Sequence, residues 1–296
     1  MIPSVTLVTP TRNRAHTIGR AIRSVLAQTH ALWELVVIDD ASTDDTANVV
    51  ASFRDPRIRY VRLDEQAGPT GAKNRGFDEA KGPWIGVLDD DDELVPRALQ
   101  KLLDVTRRIP RVDAISCNCV DSRTGRFTGH GFDHDRYLTV PLALGHARGE
   151  HWGIFHQRIL GDRRFDPNIP GHEAHLWYRI HDGALWYYLH EGLRVYHREG
   201  RDRLSLGDDY ALYRQIFDRD PDLLRLYARW SKKAFVRFVR VAAFEFLRAG
   251  DREHLDLAIA ALEEAGMRAL PMTLRGLGSI RRQSIVRRGP ERLERP

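Results

Sequence analysis

The stretch Trp84-Ile85-Gly86-Val87-Leu88-Asp89-Asp90-Asp91-Asp92-Glu93 decides how the chain is read. Its first half predicts a buried strand, and five carboxylates follow without a spacer. In a parallel α/β sheet, ligands bind beyond the carboxyl ends of strands. Like charges at contact distance cost about 1 kcal/mol in water and about 4 kcal/mol at an effective dielectric near 20. A divalent cation that prefers hard oxygen ligands, Mg²⁺ or Mn²⁺, removes that cost. A solvated acidic turn ahead of the helix opened by Pro96 explains the same residues, so the motif alone does not separate the two readings.

Outward from this stretch, strand and helix patterns alternate. Val5 to Thr9 is a short β-branched run, followed by an apolar stripe at Ile18, Ile22, Val25 and Leu26 with helical spacing. Leu35-Val36-Val37-Ile38 predicts a second buried strand, ended by Asp39-Asp40. Asp44 or Asp45 is placed to cap a helix carrying Val49, Val50 and Phe53. Ile58 to Leu63 alternates apolar residues with Arg, as a half-exposed strand does. Gly68 to Gly71 predicts a turn into a small-residue helix ending near Lys81-Gly82. Beyond Pro96, Leu99, Leu102 and Leu103 mark a helix, and Val112 to Val120 a further strand. The alternation predicts an α/β fold, a mostly parallel sheet with helices on both faces.

The pattern changes after residue 120. Ten of the 13 histidines lie between His130 and His197, among frequent Gly and aromatic residues. A helix is expected near Glu173 with Leu176, Trp177 and Ile180 inward, then two strands at Leu185–Leu189 and Leu193–His197. From Gly207 the chain reads as almost all helix, with a stripe at Phe235, Phe238, Val239, Ala242 and Phe246 and a cap at Asp251. The expected division is an α/β half at 1–120, an irregular, site-building half at 121–205 and a helical extension at 206–296.

Composition excludes several classes. With 296 residues, 42% hydrophobic and 29% charged, the chain can bury a core. Two cysteines, Cys117 and Cys119, cannot staple a chain this long and are expected as packed, reduced thiols on one strand face. No stretch approaches the roughly 20 apolar residues of a membrane helix, and Met1 to Thr9 lacks a basic leader region, so a cytoplasmic protein is expected. The formal charge is +5, but residues 231–296 hold 14 Lys and Arg against 8 Asp and Glu. The basic excess therefore lies in the helical extension, densest from Met267. Three uses fit it: a solvated cap, an oligomer contact, or a basic face meeting anionic lipid at the inner face of a membrane. Nucleic acid is not expected, because no aromatic stacking pattern accompanies the arginines.

Two further segments place cations near the strand ends, Thr11-Arg12-Asn13-Arg14 and Ala72-Lys73-Asn74-Arg75. A guanidinium can stack on a base or pair with phosphate. Neither standard phosphate loop, G-x-G-x-x-G or G-x-x-x-x-G-K-[ST], occurs, which argues against a dinucleotide oxidoreductase and a P-loop kinase.

Together these elements resemble the GT-A fold of nucleotide-diphospho-sugar transferases, and within it the inverting glycosyltransferases of family 2. Four segments carry the resemblance: Val8 to Arg14, Val37 to Asp44, Gly71 to Gly76 with Ala80 to Gly82, and Leu88 to Glu93, which matches the family's metal-binding D-x-D region. The resemblance implies a UDP-, GDP- or dTDP-sugar donor lying against Pro10, Thr11, Arg12 and Asp39, with Lys73 near base or diphosphate. It implies Asp89 near the ribose, Asp90 in the same donor-binding set, and Asp91 on a Mn²⁺ or Mg²⁺ that bridges the phosphates. His197 is a candidate to complete the metal shell.

The family's general base is an Asp in an E-D-x-x-L-W-x-R segment. Here the segment reads His172-Glu173-Ala174-His175-Leu176-Trp177-Tyr178-Arg179, which puts Glu173 at the base position. Glu173, a neighbouring His172 or His175, and a site that has lost this chemistry all remain open. His172-Glu173-Ala174-His175 has the wrong spacing for the H-E-x-x-H of a zinc hydrolase. Trp152 and Trp177 are candidates to stack on a sugar face or to pack the core. The resemblance thus implies a metal-dependent inverting glycosyltransferase whose acceptor is a glycan, a lipid-linked sugar or a small molecule. Its competitors are a non-catalytic nucleotide-sugar or glycan binder and a sugar-phosphate nucleotidyltransferase. Against the latter, Thr9 to Arg14 contains no Gly.

Overall fold

The structure, a computed structural model, describes residues 3–166, 173–197 and 209–266. In chain order it begins β1 (Val5–Thr11), α1 (Ile18–Leu26), β2 (Trp33–Asp39), α2 (Thr46–Ala51), β3 (Ile58–Arg62), α3 (Gly68–Glu79), β4 (Trp84–Val87), β5 (Glu93–Leu94) and α4 (Ala98–Arg108). There follow β6 (Ala114–Asp121), β7 (Arg136–Leu138), α5 (Val140–His146), β8 (His151–His156), α6 (Gln157–Leu160), α7 (Ala174–His181) and β9 (Trp186–Tyr196). These lie in one compact unit, residues 1–206; a second, 207–296, holds α8 (Asp209–Arg219), α9 (Pro221–Trp230), α10 (Lys232–Ala249) and α11 (Arg252–Glu264).

One nine-stranded sheet runs through the first unit in the order β3-β2-β1-β4-β8-β6-β9-β5, with β7 on β9. β1 to β4 are mutually parallel where they pair, while β8 runs antiparallel to both β4 and β6. Strand alternation sorts the apolar side chains onto two faces. Val5, Leu7, Leu35 and Val37 pack with Ile18, Ile22, Leu99 and Leu102, whereas Val8, Val36 and Ile38 pack with Ala72, Phe77, Leu176 and Ile180. A sheet covered on both sides needs such continuous apolar strands. Gly76 lets α3 approach β1 closely: a Cβ there would come within 2.1 Å of Val8 Cγ1.

Three expectations are corrected. Gly68 to Gly71 is not a turn but the first turn of α3, with Pro69 in an N-terminal position where its missing N–H costs nothing. Neither Asp44 nor Asp45 caps α2 through the expected bond. Asp44 instead accepts hydrogen bonds from Ala15 N and Thr46 N at 3.1 and 3.0 Å, tying the loops after β1 and β2 together. The two short strands expected at 185–197 are one strand, β9. Its pairing with β6 skips from Cys117–Leu189 to Asn118–Gly192, so His190 and Glu191 bulge out and break the alternation.

Cys117 and Cys119 are buried and free, as expected, and burial raises both thiols above their usual pKa. Among the described residues no helix is long and apolar enough to cross a membrane. His172, Arg198 to Ser205 and the Arg-rich stretch from Met267 lie outside the described residues.

In the helical unit the stripe Phe235, Val239, Ala242 and Phe246 is buried, and Asp251 caps α11 by accepting from His254 N at 3.2 Å. The ring of His254 lies 2.8 Å from Asp218 and 2.9 Å from Asp251. Burial opposes its protonation, but the two carboxylates outweigh burial and raise its pKa above 6.5. A raised folded-state pKa stabilises below the unfolded value and loses that contribution as pH rises through the folded value. Urea midpoints of the helical transition are therefore expected to fall from pH 6 towards pH 8.5, and His254→Gln to flatten that dependence.

Candidate active site

The sheet order reverses at β1, where β2 leaves on one side and β4 on the other. This is a topological switch point, the place where open α/β sheets hold ligands. Thr11 and Asp39 pair as neighbours at the ends of β1 and β2, and the acidic loop 88–92 leaves the end of the adjacent β4. Two residues outside glycine take positive φ there, Asn13 at 54° and Ala41 at 56°. Such conformations cost roughly 1–3 kcal/mol and need support from their surroundings. The support is visible: Asn13 N donates to Ser42 Oγ at 2.9 Å, and Thr43 N donates to Asn13 Oδ1 at 2.7 Å.

Asp39 is fully buried, and each oxygen is engaged. Ser42 N donates to Oδ1 at 2.7 Å, Tyr60 Oη donates to Oδ2, and Arg62 stands 3.6 Å from Oδ2. Burial, then the bond to Asp39, push the Tyr60 phenol up to about 12. A carboxylate has about four acceptor sites, so Asp39 retains capacity for one more donor. Asp40 is spent on structure: Ala67 N and Gly68 N donate to it at 2.6 and 3.0 Å, fixing the entry to α3. Pro10 lies on β1 opposite Ile38, and Arg12 is exposed just past the strand end.

The acidic loop is not a bare cluster of charges. Arg194, on β9 and 7% exposed in its side chain, donates to Asp92 Oδ2 through Nε at 2.5 Å and to Asp89 Oδ2 through Nη2 at 2.6 Å. Burial works against ionisation of Asp89, but Arg194 and then Lys73 outweigh it and hold its carboxyl below the usual range. For the others burial dominates. It pushes Asp90 up to about 7, with Thr11 and Arg14 beside it partly offsetting, and Asp92 up to about 6 despite Arg194. Asp91 is raised by burial and by the charge of Asp89. Arg14 stands 3.7 Å from Asp90, and Arg20 donates to the backbone oxygen of Asp91. Arginines thus answer part of the repulsion that the sequence suggested, most fully at Asp89.

β5 pairs with β9, Glu93 opposite Val195 and Leu94 opposite Arg194, and this brings the end of β9 to the loop. His197 N donates to Asp92 Oδ1 at 2.8 Å, and its Nε2 lies 2.8 Å from Glu93 Oε1. Glu173 stands at the start of α7 with its side chain 27% exposed, and Lys73 Nζ forms an ion pair with its Oε1. Lys73 is nearly buried, so one cation serves both Glu173 and the field around Asp89. His175 is 3% exposed and packs its ring on Phe165, 6.0 Å between centroids. Trp152 is buried and donates to Val87 O at 2.6 Å; Trp177 packs on Phe77, Phe155 and Phe165. Both tryptophans serve the core. His130, His134 and His146 are exposed surface residues, while His156 caps α6 through Arg158 N.

Two contributors, Arg194 and Tyr60, escape sequence reasoning. Arg194 sits mid-strand between the apolar Leu193 and Val195, and a charge at such a position is the one local signal that a buried partner exists.

An α/β sheet of this order with an acidic loop at its switch point defines a nucleotide-sugar transferase architecture of the GT-A kind. Residues 6–177 match the family described as "Glycosyl transferase family 2", and the chain belongs to that family of glycosyltransferases. It is 31% identical over 221 residues to a Campylobacter jejuni GalNAc(5)-diNAcBac-PP-undecaprenol beta-1,3-glucosyltransferase, covering 72% of this chain and 71% of that one. It is 47% identical over 174 residues to the succinoglycan biosynthesis protein ExoO of Rhizobium meliloti, covering 56% of this chain but only half of ExoO. Its fold is similar to that of S. aureus TarS 1-349 solved with UDP-GlcNAc, at a TM-score of 0.68 and 15% identity over 95% of this chain and 92% of that one.

Proposed function

We propose that the chain moves a sugar from a nucleoside-diphosphate donor to a hydroxyl of a lipid-linked saccharide, inverting the anomeric centre, with Glu173 as general base. The ion pair of Glu173 with Lys73, whose charge also acts on Asp89, carries this reading. The lipid-linked acceptor is supported by the diphosphoundecaprenol substrate in the name of the Campylobacter relative. Peripheral contact with a membrane, through the basic C-terminal segment among other surfaces, follows from the same reading.

The chemistry asked of the residues is a single displacement. The acceptor oxygen forms a bond to the anomeric carbon, the bond to the diphosphate oxygen breaks, and the electron pair leaves with the nucleoside diphosphate. Glu173 takes the hydroxyl proton through its carboxylate. Asp39 has acceptor capacity for a base N–H, Arg12 offers a guanidinium to the ring, and Pro10 and Thr11 shape the floor. Lys73 exchanges one anion for another: a diphosphate next to it competes with Glu173 for its charge and leaves the base able to accept a proton. Asp90 stays in the donor-binding set at the base of the loop.

A divalent cation fits the donor set. Among the described residues no three His, Cys, Asp or Glu side chains gather around one point to hold a metal ion. One or two carboxylates plus substrate phosphates is the usual way Mg²⁺ is held. Asp91 would hold it, with His197 second once it releases Glu93. When bound, the cation neutralises charge developing on the leaving diphosphate.

The test is thermal shift with UDP, GDP and dTDP, each with and without Mn²⁺. One of them is expected to raise the melting temperature in a Mn²⁺-dependent way, because a ligand at 100 times its Kd stabilises by about 2.7 kcal/mol. Asp91→Ala should lose that rise. No response to any of the three would remove the donor assignment, and an undiminished response in Asp91→Ala would remove the metal assignment.

A further inference from the structure

α10 carries a surface that nothing in the transfer reaction uses. Its buried side is formed by Phe235, Val239, Ala242 and Phe246. The opposite side presents Lys233, Arg237, Arg240, Val241, Phe244 and Arg248, all exposed. Their spacing of 4, 3, 1, 3 and 4 residues keeps them within one helical stripe about a third of the circumference wide. Phe244 is 59% exposed, the most exposed large apolar side chain among the described residues, and Val241 beside it is 42% exposed. No carboxylate lies on this stripe. Glu245 is at its flank, buried, and pairs with Arg248 at 2.7 Å while leaving that arginine's side chain 60% exposed.

Apolar side chains in solvent are costly, and here they are ringed by four cations. A polyanionic partner with an apolar layer below its charge suits this combination of exposed cations and exposed apolar side chains. We infer that this stripe of α10 docks on an anionic phospholipid surface, with Phe244 and Val241 entering the headgroup boundary and Lys233, Arg237, Arg240 and Arg248 meeting phosphates. Interfacial helices combine these two elements, an apolar insertion and a basic rim. A protein partner would more often match the stripe with carboxylates. The exposed residues Glu253, Asp256, Glu263 and Glu264 of α11 offer that match from a second copy of this chain, and the experiment separates the two. The inference deepens the reading of a lipid-linked acceptor and shares its premise that transfer happens at a membrane.

Vesicles free of acceptor and sugar nucleotide keep the two readings apart. The full-length chain is sedimented with vesicles of equal phosphatidylglycerol and phosphatidylcholine, and with phosphatidylcholine alone. Binding is expected to the first, to weaken in 0.5 M salt, and to be absent from the second. Each basic side chain near an anionic surface contributes roughly a fivefold factor in partitioning. Arg237→Glu with Arg240→Glu should therefore lower partitioning at least about 20-fold. Phe244→Ser should lower it several-fold and leave the salt dependence intact. The double variant should melt within a few degrees of the parent and release nucleoside diphosphate from donor at the parental rate, since neither residue belongs to the site. Unchanged partitioning in the double variant would overturn the inference. So would a parent that ignores anionic vesicles and forms a dimer that the double variant abolishes, the result expected of an α10–α11 contact between copies. Loss of transfer chemistry with vesicle binding intact would overturn Glu173 and not the stripe.

Discussion

Glu173→Gln is expected to lower the rate of sugar transfer by about 10²–10⁴, the usual contribution of a positioned general base, while donor affinity stays within a few-fold of the parent. The substitution keeps the size of the side chain and removes only its capacity to take a proton. Donor binding should survive because the polar partner of Glu173 is Lys73, and among the described residues its hydrogen bonds include none to the acidic loop. Lys73→Met is the informative companion. It frees Glu173 from its ion pair and also removes a cation beside Asp89, so the donor KM should rise more than kcat falls. Steady-state kinetics on both variants, with calorimetry for the donor, check the pair of outcomes. Near-parental turnover in Glu173→Gln would remove it as the base.

Arg194→Met should strongly destabilise the first unit. Its guanidinium is nearly buried, and its partner Asp92 is fully buried. Without Arg194, Asp92 must either stay charged in the interior or take up a proton, and breaking a buried pair costs about 3–5 kcal/mol. For a domain of about 200 residues this corresponds to a fall in Tm of roughly 10 °C. The variant should also lose Mn²⁺-dependent nucleotide binding, because Asp89 and Asp92 no longer have a fixed counter-charge. Asp92→Asn is the control: it keeps the shape and leaves Arg194 its second carboxylate, Asp89, so it should cost less. A cost below about 1 kcal/mol for Arg194→Met would place the pair among weak surface bridges and not among buried ones.

Legibility in the sequence followed from how local each determinant is. β1, β2 and β4 are readable because burial on both faces demands unbroken apolar runs, and the loop after β4 is readable because five adjacent carboxylates have few ordinary explanations. The helical unit is readable for a similar reason, since Ser231 and Asp251 both act as caps directly ahead of apolar stripes. The start of α3 is not legible because Gly68-Pro69-Thr70-Gly71 has turn composition, although proline in the first helical turn is well tolerated. β9 reads as two strands because its bulge at His190-Glu191 interrupts the period of two.

The site illustrates the limit more sharply. Arg194 is 102 and 105 residues from its two partners, and Lys73 is 100 residues from Glu173. Such pairings belong to the sheet order and leave no periodic trace. The sequence could suggest that a cation relieves the acidic loop, but not that arginines of the chain itself already do much of that work. On the proposed reading, the role left for a metal is narrower: Asp91 and the charge of a diphosphate, and not the whole acidic run.

The most direct measurement of the central claim is the anomeric configuration of the product. The chain is given the α-linked nucleotide sugar that stabilises it, Mn²⁺ and a saccharide on a polyprenyl diphosphate, and the new linkage is read by the proton coupling constant at the anomeric carbon. The single displacement with Glu173 as base predicts a β linkage and one nucleoside diphosphate released per bond formed. An α linkage, or donor consumption with no new glycosidic bond, would contradict it.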